Sequence, residues 1–334
     1  MYLQHRINLL HRLGNYVLSD GQTWKDIIQI AAATNSWFTP EFINLASNQI
    51  AAAFLDKTKL ENWARFYSIP DKIISPRNVG IVMAGNIPLV GFHDFLSVFI
   101  AGHKQTIKLS AKDNILLPHL IQYLIAEDAA VKDFISFGEM LKGCDAYIAT
   151  GSNNTARYFD YYFGKYPHII RRNRTSVAIL DGNETNDELQ QLADDVYFYF
   201  GLGCRNVTKL FLPRAYDFVP LLNAFRKFNY LADHNKYKNN YDYQLALLIL
   251  NKKYYMTNDS VILTENESPF SPISILHYEY YDHRETVSIS LQSNPDIQCI
   301  VGHQFTPFGE AQKPSLTDYA DGADTLQFLH SLND

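Results

Sequence analysis

Cysteines stand at positions 144, 204 and 299, and only Cys204 has neighbours that suit a nucleophile. It lies in YFYFGLGCRNVTKLFLP, Tyr197 to Pro213. A helical pattern ends at Phe200, Gly201 and Gly203 follow, and a strand pattern resumes at Val207. Glycines beside a cysteine let a ligand approach the backbone and leave the sulfur uncrowded. Arg205 follows at once, and a nearby cation favours thiolate over thiol. A cysteine taken at random is more often a small buried hydrophobe. Cys144, just before a strand pattern, and Cys299, within one, take that ordinary reading.

Other polar groups stand where strands end. Asn86 sits between Gly85 and Pro88 in GIVMAGNIPLVG. A side-chain amide there can donate to a developing oxyanion, although asparagine more commonly serves the turn itself. Lys108 closes QTIKL and has no acidic neighbour before Asp113. It suits a ribose or a phosphate, or equally a solvated surface. In Thr150-Gly151-Ser152-Asn153-Asn154, glycine and hydroxyls ahead of a helix suit phosphate. A turn held by its own side chains accounts for that segment equally well. Arg171, Arg172 and Arg174 form either a basic surface turn or a site for phosphate groups. There is no G-x-G-x-x-G fingerprint, no phosphate-loop motif, no C-x-x-C and no H-E-x-x-H, and the eleven histidines do not cluster at metal-ligand spacing. No metal is expected.

The elements that must position these groups alternate. Residues 1–70 read as amphipathic helices, one of them started by Thr39 and Pro40. Strands follow at Asn78–Ala84, Gln105–Leu109, Asp145–Thr150, Ser176–Leu180 and Val207–Leu212, and later at Ser260–Thr264, Ile273–Tyr278 and Asp296–Val301. The intervening helices are Phe92–Ala101, Asn114–Ala126, Thr155–Phe163, Asp187–Phe200 with Asn186 as cap, Val219–Phe228 and Tyr241–Leu250. Alternation of this kind predicts an open, mainly parallel α/β sheet, with ligands at the carboxyl ends of its strands.

With 334 residues, 47% hydrophobic and 19% charged, the chain has room for two domains and a sizeable core. A net charge of −6 argues against a nucleic-acid partner. The apolar run Val79–Gly102 is interrupted by His93, Asp94 and several turn residues, so no membrane span is expected. The amphipathic start lacks the apolar core of a signal peptide, and the three cysteines give no disulfide framework. Both point to the cytoplasm.

The order of these features is more specific than any one of them. From Asn78 to about Asp324 the chain resembles the aldehyde dehydrogenase superfamily. The resemblance implies a helical N-terminal region and NAD(P)-binding domain over 1–174, and a smaller α/β catalytic domain over 175–334. It implies Cys204 as nucleophile and Asn86 as oxyanion donor. It implies Lys108 at the adenosine ribose, Gly151 and Ser152 at the pyrophosphate, and Phe270 of ESPFSPISI near the nicotinamide. Ala111 stands where NAD-preferring members carry a glutamate, and Lys112 follows it, which favours NADPH with NADH as the alternative. Arg171 stands where hydrolytic members carry the glutamate that activates water, so transfer of the acyl group to water should be poor.

FGLGCRNVTKLFLP and FGEAQKPSLTDYADGADTLQFL most resemble the LuxC-type acyl-CoA reductases of bacterial luminescence. The implied substrate is an acyl-CoA or another acyl thioester. The implied partners are a second copy of the chain or an acyl-transfer protein. Two alternatives stand beside this reading. One is a cysteine thioesterase or acyltransferase without hydride transfer, with His93, His103 or His168 as base. The other is a non-catalytic binding subunit of the same fold.

Overall fold

The computed structural model describes residues 1–332. The chain divides into two compact units: residues 1–173 with 314–334, and residues 174–313.

In the first unit, helices α1 (Leu3–Leu18), α2 (Gln22–Thr34), α3 (Pro40–Phe54) and α4 (Lys57–Phe66) precede the sheet. The hydroxyl of Thr39 accepts from the Phe42 amide with proline at the first helical turn, as the sequence predicts. The apolar stripes of α1 to α4 bury Leu9, Leu10, Leu13, Ile43, Leu60 and Trp63 in one core. Next come β1 (Asn78–Val82), α5 (Phe92–Ala101), β2 (Lys104–Lys108), α6 (Leu116–Glu127), β3 (Ile135–Phe137), β4 (Ala146–Thr150), α7 (Asn153–Phe163) and β5 (His168–Arg171). All pairs are parallel, in the order β3-β2-β1-β4-β5. Strand order reverses at β1, which pairs with β2 on one side and β4 on the other. The loops after β1, β2 and β4 therefore open at the switch point, where such sheets bind ligands.

The second unit holds β6 (Thr175–Ile179), α8 (Asn186–Tyr197), β7 (Val207–Pro213), α9 (Phe218–Ala224), α10 (Asn235–Leu250), β8 (Met256–Thr257), β9 (Ile262–Glu265), β10 (Ile275–Tyr281), α11 (Arg284–Gln292) and β11 (Ile297–Val301). Its sheet order is β11-β6-β7-β10-β9-β8, parallel except for the short β8–β9 pair. The chain then returns to the first unit for α12 (Thr325–Ser331), whose Leu326 and Leu329 are buried in that unit's core. Among the described residues no helix is long and apolar enough to cross a membrane.

Three local expectations change. Helix α8 is capped by Thr185, not Asn186: the Thr185 hydroxyl accepts from the Glu188 amide, and the Glu188 carboxylate accepts from the Thr185 amide. It ends at Tyr197 rather than Phe200, because Tyr199 and Phe200 turn left-handed. Helix α10 begins at Asn235 rather than Tyr241, because the His234 ring caps it at the Tyr237 amide. Its mostly solvated surface gave no apolar stripe to detect.

Candidate active site

Asn86 lies half-buried in the loop between β1 and α5. A Cβ on Gly85 would come within 2.5 Å of the Ser110 hydroxyl, so only glycine lets this loop pack on the one after β2. Leu89 in the same loop has φ +56°, and its amide donates to Asp113 Oδ2 at 2.8 Å. Asp113 thus ties the Asn86 loop to the Lys108–Lys112 loop. Its second oxygen is buried, and burial pushes the carboxyl up to about 6 against the backbone bonds from Leu89 and Leu116.

The folded value lies above the ordinary value of 3.8, so the favourable contribution of Asp113 is complete below about pH 4 and is lost as pH rises through about 6. Each pH unit inside that window removes up to about 1.4 kcal/mol. Asp113→Asn keeps an acceptor for Leu89 and cannot ionise. Thermal unfolding from pH 4 to 8 should show the wild type losing ground to this variant across the window; parallel pH profiles would refute the assignment.

Lys108 ends β2 and is exposed, as is Lys112. The Lys112 backbone is fixed by its amide donating to the Ser110 hydroxyl and its carbonyl accepting from Asn35 Nδ2. Gly151 follows β4, and a Cβ there would lie 2.9 Å from the Phe159 ring and 3.0 Å from Thr155. Ser152 caps α7: its hydroxyl accepts from the Thr155 amide at 3.3 Å and lies 2.9 Å from the Thr155 hydroxyl. The first turn of α7 contains no acid. Exposed ammonium groups, a glycine with no room for a side chain and the positive end of a helix make a donor set suited to a phosphorylated nucleotide.

Arg171 is neither a base nor an exposed phosphate ligand. It is buried, its Nη1 donates to both oxygens of Asp94 at 2.7 and 2.6 Å, and its Nη2 donates to the Thr325 hydroxyl at 2.7 Å. The neighbouring Arg172 pairs with Asp160 at 3.2 Å. The histidines considered as bases are also engaged. His103 is buried, its Nδ1 accepting from the Arg77 amide and its Nε2 donating to the Leu329 carbonyl. His93 donates to the Leu316 carbonyl and lies among Phe54, Trp63 and Tyr319. His168 bonds to the Tyr166 carbonyl.

In the second unit, Cys204 follows a strained turn. Tyr199, Phe200 and Gly201 take successive φ values of 56°, 57° and 73°. Left-handed backbone costs a residue with a Cβ about 1–2 kcal/mol, so the surroundings must hold it. Tyr199 and Phe200 are buried, Phe200 with its ring 4.6 Å from His234 and 5.7 Å from Tyr237. Asn206, 0% exposed, does the rest. Its Nδ2 donates to the carbonyls of Asp195 (3.0 Å), Val196 (3.4 Å) and Phe198 (2.8 Å), and its Oδ1 accepts from the Gly203 amide (2.8 Å). The Ser176 hydroxyl donates to the Cys204 carbonyl at 3.0 Å. Cys204 itself is half-buried and in no disulfide.

Cys144 is buried, which pushes its thiol up. Cys299 is half-buried, with Sγ 3.0 Å from the Ser176 hydroxyl. Phe270 is half-buried in the β9–β10 connection. No group of histidine, cysteine, aspartate and glutamate among the described residues is arranged to hold a metal ion.

Asn206 was not singled out by the sequence reading, although an asparagine two residues past a glycine-flanked cysteine is a usable turn signal. Asp195 was also missed. It is fully buried and accepts from the amides of Gly309 (2.7 Å) and Ala311 (3.1 Å), which fixes the FGEA segment on α8. Burial pushes its carboxyl up to about 7.

No family model and no curated protein matches the chain in sequence. Solved structures do match in three dimensions. A putative aldehyde dehydrogenase from Burkholderia cenocepacia is 13% identical, with 88% of this chain and 73% of that one covered and a TM-score of 0.63. The Mycobacterium tuberculosis aldehyde dehydrogenase complexed with NAD+ is 14% identical over 87% and 71%, with a TM-score of 0.63. An indole-3-acetaldehyde dehydrogenase from P. syringae in complex with NAD+ and IAA is 11% identical over 90% and 72%, with a TM-score of 0.65. The chain has an aldehyde dehydrogenase-like fold.

Proposed function

We propose that this chain is an acyl-CoA reductase that converts an acyl thioester to an aldehyde through a thioacyl-enzyme on Cys204. The observation that carries the reading is the Cys204 turn: three left-handed residues and four Asn206 hydrogen bonds fix the backbone beside an unbridged, half-buried cysteine.

The Cys204 thiolate attacks the thioester carbon, forming a C–S bond, and the carbonyl electron pair moves to oxygen. Asn86 Nδ2 and the Cys204 amide donate to that oxyanion. Its collapse expels the coenzyme A thiolate, which is protonated by solvent, and leaves the acyl group on Cys204. When bound, a reduced nicotinamide would supply the hydride. Once the thioester carbon is reduced, the same two donors hold the new oxyanion. Its collapse breaks the bond to Cys204 and releases the aldehyde and the thiolate. One hydride and one proton are consumed per turnover.

Lys108 is assigned to the ribose, and Gly151 and Ser152, with the first turn of α7, to the pyrophosphate. Phe270 is assigned to the nicotinamide face. Lys112, with Ala111 in place of an acid, would favour NADPH through its 2′-phosphate. The buried Asp94–Arg171 pair supports the lack of hydrolysis: neither side chain is available to activate water. Among acyl-CoA reductases, the Cys204 and FGEAQKP segments favour a LuxC-type enzyme, acting on fatty acyl groups in the cytoplasm with a second copy or an acyl-transfer protein as partner.

Intact-protein mass spectrometry after incubation with a panel of acyl-CoAs tests the reading. A thioacyl adduct that NADPH discharges as aldehyde is the expected result. No adduct and no NADPH oxidation with any chain length would overturn it, and thioester hydrolysis without nucleotide would indicate a thioesterase. Asn86→Ala should keep the fold and lower turnover by roughly 10²–10³; near-normal reduction would remove Asn86 from the mechanism.

A further inference from the structure

Strands β9 and β10 are parallel neighbours, so the chain joining them must cross the sheet. Residues 266–274 make that crossing without helix or strand. A helical crossover satisfies its own carbonyls, and a bare one has to find donors elsewhere. Three consecutive carbonyls in this loop each meet a different side chain. Lys209 Nζ donates to Glu267 O at 2.6 Å, His277 Nδ1 to Ser268 O at 2.9 Å, and Thr208 Oγ1 to Pro269 O at 2.6 Å.

The three donors are not equivalent in cost. His277 stands directly opposite Lys209 in the β10–β7 register. Thr208 and Lys209 are adjacent on β7, so their side chains leave opposite faces of the sheet, yet both reach this loop. Lys209 is only 1% exposed, with Glu279 as counter-ion at 2.5 Å and the Phe211 ring 4.8 Å from its ammonium. Burying an ammonium is expensive, and a hydroxyl could satisfy a carbonyl for much less. Satisfying Glu267 O therefore does not by itself account for a lysine. Immediately beyond the third held carbonyl comes Phe270, whose amide donates to the Ser268 hydroxyl and whose carbonyl accepts from it. The backbone is thus fixed from Glu267 through Phe270, and Phe270 as a residue is half-buried.

We infer that Thr208, Lys209 and His277 form a three-donor clamp that positions Phe270 for the nicotinamide cofactor. The inference rests on the proposed reductase reading for the role of Phe270. The clamp residues touch the loop rather than the reacting atoms and act as positioning residues.

Thr208→Val keeps the shape and removes the hydroxyl, Thr208→Ser keeps the hydroxyl, and Lys209→Met removes the ammonium. In the full chain, Thr208→Val and Lys209→Met should each raise the KM for NADPH and slow single-turnover hydride transfer about tenfold. Adduct formation from acyl-CoA without nucleotide should stay within about twofold of wild type, and Thr208→Ser should restore the reduction step. Equal loss of adduct formation and reduction would show a structural role only and overturn the inference, as would an unchanged KM and hydride rate in Thr208→Val. NADPH binding followed by nucleotide fluorescence reads the clamp apart from acyl chemistry. Wild-type protein that binds NADPH but forms no adduct fails the proposed reaction, and the clamp then stands or falls on weakened NADPH binding in Thr208→Val. Wild-type protein that binds no NADPH overturns both.

Discussion

Replacing Cys204 with alanine is expected to abolish the acyl adduct and to lower NADPH-dependent reduction by on the order of 10⁴-fold or more, the scale seen when a covalent nucleophile is removed. The loss should come without unfolding. The bonds from Asn206 and from Ser176 to the Cys204 carbonyl remain in this variant. Denaturant unfolding of Cys204→Ala should therefore lie within about 1 kcal/mol of wild type, the usual range for a partly exposed site. Cys144→Ala and Cys299→Ala should still form the adduct. Labelling that persists in Cys204→Ala, measured by intact mass after acyl-CoA incubation, would sink the assignment of the nucleophile.

Asn206→Ala should be among the most destabilising single changes in the second unit. It strands three carbonyls and one amide, all buried except the part-buried Phe198 carbonyl. Each buried polar group left unpaired costs about 1–3 kcal/mol, and with partial relaxation the total should be about 3–5 kcal/mol. Asn206→Asp should be worse than its similar size suggests, because it replaces a donor facing three carbonyl oxygens with another acceptor. Urea unfolding checks the first figure, and a loss below about 1 kcal/mol would mean the turn is held by other means. Adduct formation should fall in both variants, since the backbone strain at Tyr199 and Phe200 is no longer opposed.

The parallel strands were legible because both of their faces are covered, which leaves short apolar runs such as NVGIV and TSVAI. The order of loops along those runs also gave the aldehyde dehydrogenase-like fold. The hidden features depend on contacts distant in sequence. Asp94 looked like an interruption in an apolar run, and nothing near it announced a pairing with Arg171 inside the core. Left-handed Tyr199 and Phe200 were invisible because aromatic residues rarely take that conformation, and a pattern reading extends the helix straight through them. Strands β3, β5 and β8 were missed. The two sheet-edge strands and the short β8 carry exposed or half-exposed residues at many positions, so their sequences lack the apolar run.

The return of α12 to the first unit has a consequence for how the protein is made. The core around Leu326 and Leu329 is shared with helices and strands encoded more than two hundred residues earlier. As the chain leaves the ribosome, residues 174–313 have all the strands of their own sheet before those late leucines have been synthesised. The second unit can therefore fold while the first still exposes part of its interior. During synthesis it is the first unit that needs protection from aggregation, although its amino end emerged first.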